Sequence, residues 1–305
     1  MLYIILILVA IWMIVVAITL FQVLLRPFIL KKHVSRGISM VMYQVTLPQK
    51  REEGKNEKEL ISVMEQLYSS FTYLKGVEGI DKYLQGDPYI ALEIVSPTEK
   101  DEIHFYVGVP KGYESILEKQ IHGLFPEAEI EAIPDYNPFS KGAHVKASYV
   151  GLKKPAVLPI KTYQELEADP LQSISSALSK IQENESAVVQ MLIQRSSSQW
   201  SKTGKQTARN MHKGMSFEQA YNKASNGVWH DLKANFGKAI KQKNGEMPDT
   251  ALSPTEQEVV KSIEEKASKI SFKTNIRLLT ISESEPRAEA LLEQLEGSFT
   301  QFNTL

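Results

Sequence analysis

The first 25 residues constrain the chain more than any other stretch. Leu2–Leu25 carries no charge, and Thr19 and Gln22 are its polar interruptions. At 1.5 Å per residue it would make about 36 Å of helix, enough to cross a hydrocarbon core of about 30 Å with some tilt. Arg26, Lys31, Lys32 and Arg36 follow at once in a basic segment over 26–37, whereas only the terminal amine precedes the run. Cationic flanks stay on the cytoplasmic side of a bilayer. The asymmetry therefore predicts a single-pass anchor over 2–25, with the N-terminus outside and the bulk of the chain in the cytoplasm. A cleaved leader would need a basic start, a shorter apolar stretch and a small-residue cleavage site, and none of these is present. Whatever follows must fold as a body tethered to a lipid bilayer.

The chain has 305 residues, room for about two domains with buried cores. Ser39–Leu47 alternates, with Val41, Tyr43, Val45 and Leu47 on one face and Gln44 and Thr46 on the other, as a half-buried strand does. Leu60, Met64, Leu67, Phe71 and Leu74 recur at helical spacing. Tyr89–Val95 and Ile103–Val109 read as a hairpin around Ser96–Asp101. Tyr113, Ile116, Leu117, Ile121 and Leu124 give a second helical face, and Glu127–Ile133 a last strand. The order β-α-β-β-α-β over 38–133 predicts a ferredoxin-like unit, helices layered on an antiparallel sheet.

Pro134–Gly142 (PDYNPFSKG) has the composition of a linker. Beyond it, 143–305 predicts a second unit of similar order. His144–Val150 and Ala156–Thr162 are strand candidates. Asp169 and Pro170 suit the N-cap and first position of a helix, and Ala187–Gln194 is a strand. An insertion over 195–252 follows. Ser253-Pro-Thr-Glu256 then makes a capping box with Pro at the first helical position, Asn275–Ile281 is a strand and Pro286–Thr300 a helix. The fold class expected is α+β: a transmembrane helix and two ferredoxin-like units, the second with a basic helical insertion and without its closing strand. Another chain, or a longer form of this one, would supply that strand.

Sequence chemistry argues against an enzyme. Cysteine is absent, which removes thiolate sites and disulfides. The six histidines (His33, His104, His122, His144, His212, His230) show no metal-ligand spacing. Thr203-Gly204-Lys205 resembles half of a phosphate loop, but Gln199 stands at the first glycine position and Gln206 where a Mg²⁺-binding hydroxyl is needed. No nucleophile elbow or dinucleotide fingerprint occurs. No cofactor and no metal are expected.

The insertion is where charge concentrates. Arg195–Lys243 holds ten Lys and Arg (Arg195, Lys202, Lys205, Arg209, Lys213, Lys223, Lys233, Lys238, Lys241, Lys243) against Glu218 and Asp231, a net +8 that leaves −9 for the rest of the chain. Phosphates of a nucleic acid would suit these cations, with Trp200 as a stacking platform. The anionic inner leaflet is a second candidate, because Val228, Trp229, Leu232, Phe236 and Ile240 recur at helical spacing with Lys233, Lys241 and Lys243 interspersed. A solvated insert packed on its own domain is the third.

Phe105–Ile133 (FYVGVPKGYESILEKQIHGLFPEAEIEAI), Asp169–Arg195 and Ser253–Thr300 together resemble the membrane-anchored N-terminal region of bacterial type IV secretion and conjugation ATPases of the coupling-protein, FtsK/HerA-like class. In that family a RecA-like motor with Walker motifs follows, and no catalytic residue of the motor has a matching position here. The resemblance implies a non-catalytic membrane scaffold for a DNA- or protein-translocating machine. It also implies a RecA-like ATPase subunit as partner and an oligomeric assembly.

Overall fold

The computed structural model describes residues 3, 7, 9–21, 40–47, 57–73, 87–97, 102–134, 136–162, 165–166, 169–225 and 252–303. The basic segment 26–37 and Lys233, Lys238, Lys241 and Lys243 with their apolar neighbours lie outside these residues, as does part of the 2–25 run. Residues 9–21 form a helix (α1) whose side chains are exposed except for the half-buried Val16, with Trp12 at 67% and Phe21 at 63% exposure. Among the described residues no helix is long and apolar enough to cross a membrane.

The body is α+β, built on one seven-stranded sheet in which every pairing is antiparallel. Its strands are β1 (Met40–Thr46), β2 (Tyr89–Ser96), β3 (His104–Pro110), β4 (Glu129–Ile133), β5 (His144–Val150), β6 (Ser186–Arg195) and β7 (Phe272–Ser282), in the spatial order β4-β1-β3-β2-β6-β7-β5. The helices are α2 (Glu57–Ser70), α3 (Glu114–Leu124), α4 (Pro170–Leu178), α5 (Ser198–His212), α6 (Phe217–Ser225), α7 (Pro254–Ser268) and α8 (Glu285–Ser298).

Two sheets were the expectation; the structure joins both halves of the chain into one. Strand β2 pairs β6 over eight positions, from Tyr89↔Gln194 to Ser96↔Ala187. Central strands lose both faces to the interior, which is why β6 reads Ala187-Val-Val-Gln-Met-Leu-Ile with apolar residues at either parity. On one face Tyr43, Val107, Leu92, Met191, Ile276 and Val150 stand in cross-strand register. Leu67, Leu117 and Ile121 of α2 and α3 cover the first part of this face. Ile174, Leu178 and Leu295 of α4 and α8 cover the second. On the opposite face Met42, Val95, Tyr106 and Val188 make a smaller cluster, closed by Tyr136 and Ile133.

Ala156–Thr162 does not form the strand its composition suggests. It is turn and irregular backbone, because Pro159 removes a ladder donor within the segment and Pro155 another just before it. Its carbonyls go elsewhere: Lys266 Nζ donates to Ala156 O at 2.7 Å and to Leu158 O at 2.8 Å. The helix opened by Ser253 also joins the insertion. Val260 and Ile263 of α7 pack with Ala208 and Met211 of α5 and Ala220 of α6, a helical cluster with its own small core.

Candidate functional site

The predicted contact residues that the structure describes converge on α5. This helix starts three residues after Arg195, the exposed last residue of β6. Its buried stripe is Gly204, Thr207, Ala208, Asn210 and Met211. Small residues bring it close to α7: a Cβ on Gly204 would lie 3.0 Å from that of Ala267, and Ser201 Oγ donates to Ala267 O at 2.6 Å. Asn210 is buried and its Nδ2 donates to Ala220 O at 3.2 Å, fastening α6.

With that side inward, Lys202, Lys205, Arg209 and the C-cap residue Lys213 are all exposed. At 100° per residue they fall within an arc of roughly 80° and extend over about 16 Å. Neighbours three and four apart on a helix repel when alike, by a few tenths of a kcal/mol per pair. Among the described residues no carboxylate forms an ion pair with any of the four. Arg209 and Lys213 complement the C-terminal end of the helix dipole; Lys202 and Lys205 have no such compensation. The phosphate-loop fragment Thr203-Gly204-Lys205 is thus a helix interior, its glycine serving helix packing.

Trp200 does not share the cationic face. It is half-buried, with Lys266 Nζ 5.8 Å from the ring centroid, so one side of the indole already meets a cation. Burial holds the Lys266 ammonium below its usual pKa. Lys223 is exposed on α6, beyond the stripe.

A polar row crosses the other face of the sheet, and periodicity gives no sign of it. Glu131, Gln44, Tyr106, Glu93, Gln190, Arg277 and Tyr149 stand opposite one another from β4 to β5. At its centre the buried Glu93 accepts from Tyr136 Oη and, at 2.6 Å, from Gln190 Nε2. Arg277 donates to Gln190 Oε1 at 3.3 Å. Tyr106 stacks on His104 and meets Tyr136 at 5.0 Å; burial first, and the Glu93 charge second, push its phenol pKa up. Both Glu93 oxygens are engaged, so through Tyr136 the row ties the segment after β4 to the sheet.

Among the described residues no group of His, Asp and Glu is arranged to hold a metal. A depression between α2 and Ile270 is lined by Ser62, Glu65, Gln66 and Ser69.

The model of a protein family described as a domain of unknown function, DUF8128, matches residues 51–304, which includes α5 and every strand but β1. No curated protein matches the chain.

Proposed function

The chain belongs to the DUF8128 family, and on that premise we propose that it is a non-catalytic, membrane-anchored scaffold of a type IV secretion or conjugation-like assembly. It would hold a RecA-like motor at the cytoplasmic membrane face. The observation that carries this reading is α1: a helix whose apolar side chains are left exposed by the described residues, inside a 24-residue uncharged run. Its one described hydroxyl, Thr19 Oγ1, donates to its own helix at Val15 O, 2.7 Å away, as a polar group in lipid must. The strand order also supports two ferredoxin-like units. In the first half it is β4-β1-β3-β2; in the second, β5-β7-β6 repeats the pattern of the first three elements, with the units joined through β2 and β6. Alkaline extraction of membranes should leave the chain in the pellet, and affinity capture from detergent extracts should recover a RecA-like ATPase. Release into the supernatant removes the anchor, and repeated capture without an ATPase removes the scaffold role. Residues 38–305 should show no ATP turnover of their own.

A second reading is favoured by the cationic face of α5: a membrane-tethered nucleic-acid-binding protein acting through 195–243. Binding to DNA should then weaken steeply with salt, the slope reporting the number of phosphates neutralised. Absence of binding at low salt excludes it.

A further inference from the structure

The two edges of the sheet are built differently. Strand β4 is short, exposes Glu129 and Glu131, and runs into Pro134, which are the devices that keep an edge from pairing. Strand β5 has none of them. It pairs β7 without a bulge over seven positions, from His144↔Ser282 to Val150↔Ile276, and contains no proline or carboxylate. Its ammonium does not guard the edge either, because Lys146 Nζ is drawn to Glu285 Oε1 at 2.7 Å and Glu289 Oε2 at 3.8 Å on α8. Among the described residues no strand lies outside it.

Which strand fits there is written in β5 itself. On the face away from α8 it presents Val145, Ala147 and Tyr149, all exposed, Tyr149 at 78% and Val145 at 44%. On the helix face, among the described residues, Ser148 Oγ is the buried side-chain polar atom without a hydrogen-bond partner. Set the sequence HVKASYV against itself, antiparallel and centred on Ala147. Val145 then faces Tyr149 twice, an aromatic against a β-branched residue, a favourable cross-strand pair. Ala147 faces Ala147, where no bulk obstructs the approach. Lys146 faces Ser148, a small residue that leaves its ammonium free to keep its place on α8, and His144 faces Val150. No two like charges stand directly opposite.

We propose that β5 is a homodimerisation edge: two copies of this chain pair β5 to β5 about a two-fold axis through Ala147, continuing the sheet from one copy into the other. The proposal does not depend on the membrane or motor reading, since its evidence lies wholly in the sheet.

The chain has no cysteine, so one introduced thiol reports one position. Opposed Cα atoms in an antiparallel pair lie about 4.5 or 5.5 Å apart, within reach of a disulfide. The full chain in detergent, carrying Ala147→Cys, is oxidised and run on a non-reducing gel. A covalent dimer should dominate, at least tenfold above Thr255→Cys, an exposed control on α7. Val145→Cys alone should not cross-link, because its own copy lies four residues away across the axis, whereas Val145→Cys with Tyr149→Cys should. Light scattering of the cysteine-free chain should give a dimer mass, reduced towards monomer by Tyr149→Lys. Ala147→Cys that stays monomeric, or cross-links no better than Thr255→Cys, overturns the proposal. So does a register in which Val145→Cys alone is the more reactive site.

Discussion

Arg287 closes a two-pronged clamp on Glu185: Nε donates to Oε1 at 2.7 Å and Nη2 to Oε2 at 2.9 Å. Glu185 is buried at 4% exposure just before β6, and Arg287 sits in the first turn of α8. The same carboxylate accepts from Gln182 N and Ser282 Oγ, and Nη2 also reaches Lys180 O. The clamp therefore gathers the α4–β6 turn, the end of β7 and the start of α8 at one point.

Removing the charge from this clamp should be expensive. Burial by itself pushes the Glu185 carboxyl up, but the hydrogen bonds and charge of Arg287, with Gln182 and Ser282, hold it below its ordinary value of 4.5. A carboxylate lowered on folding stabilises the protein above the unfolded value, and that stability is lost as pH falls towards the folded value. Thermal melts between pH ~3 and ~7 should show stability falling on the acid side of the ordinary glutamate range. Glu185→Gln should flatten that part of the curve. At neutral pH it should destabilise by roughly 3 kcal/mol, as breaking a buried pair does.

Gly204 sets the distance between α5 and α7. Its would-be Cβ already meets Ala267 Cβ at 3.0 Å, so Gly204→Leu should force the helices apart and cost about 2 kcal/mol. Ala267→Gly on the same background should restore part of the loss, beyond additivity. Denaturant unfolding of the four variants measures the coupling.

The Glu93 hub is testable by a single oxygen. Tyr136→Phe removes the hydroxyl that Glu93 accepts from while keeping the ring on Tyr106. A loss of about 1–2 kcal/mol is expected, the cost of a hydrogen bond to a buried carboxylate. Faster amide exchange should be confined to residues around 136–143, since no sheet pairing is touched.

The α5 stripe separates stability from binding. Lys205→Glu would place a carboxylate four residues before Arg209 and three after Lys202, turning two repulsions into attractions worth about 0.5 kcal/mol or more together. The variant should melt slightly higher and, if the stripe meets phosphates, bind DNA or anionic vesicles more weakly with a shallower salt dependence. A loss of both would mean that Lys205 holds the fold.

Local chemistry was legible where one short segment decides it. Ser253 and Glu256 make the reciprocal box their spacing announces: Ser253 N donates to Glu256 Oε2 at 2.9 Å, and Glu256 N to Ser253 Oγ at 3.3 Å. Asp169 accepts from Leu171 N at 2.9 Å, with Pro170 next to it. What eluded the sequence is pairing at long range. Nothing near Tyr89 says that it lies opposite Gln194, although apolar residues at both parities in β6 mark a strand buried on both sides. Ala156–Thr162 misled because Leu158 packs on the helical cluster and Ile160 stays exposed instead of alternating across a sheet. The cationic face of α5 was visible as the spacing 202, 205, 209 and 213, but only the buried Thr207, Ala208 and Met211 show which way it points.

The joined sheet has a geometric consequence. Neighbouring strands rotate by roughly 20–25°, always in the same sense, so six steps from β4 to β5 turn the sheet through about 120–150°. The surface under α4 and α8 therefore looks in a different direction from the surface under α2 and α3, although both lie on one side of one sheet. Two chains joined at β5 would continue that rotation through roughly 260–325°, a coiled ribbon of nearly one turn. Because a two-fold axis uses both β5 edges, that ribbon would end at a guarded β4 on either side.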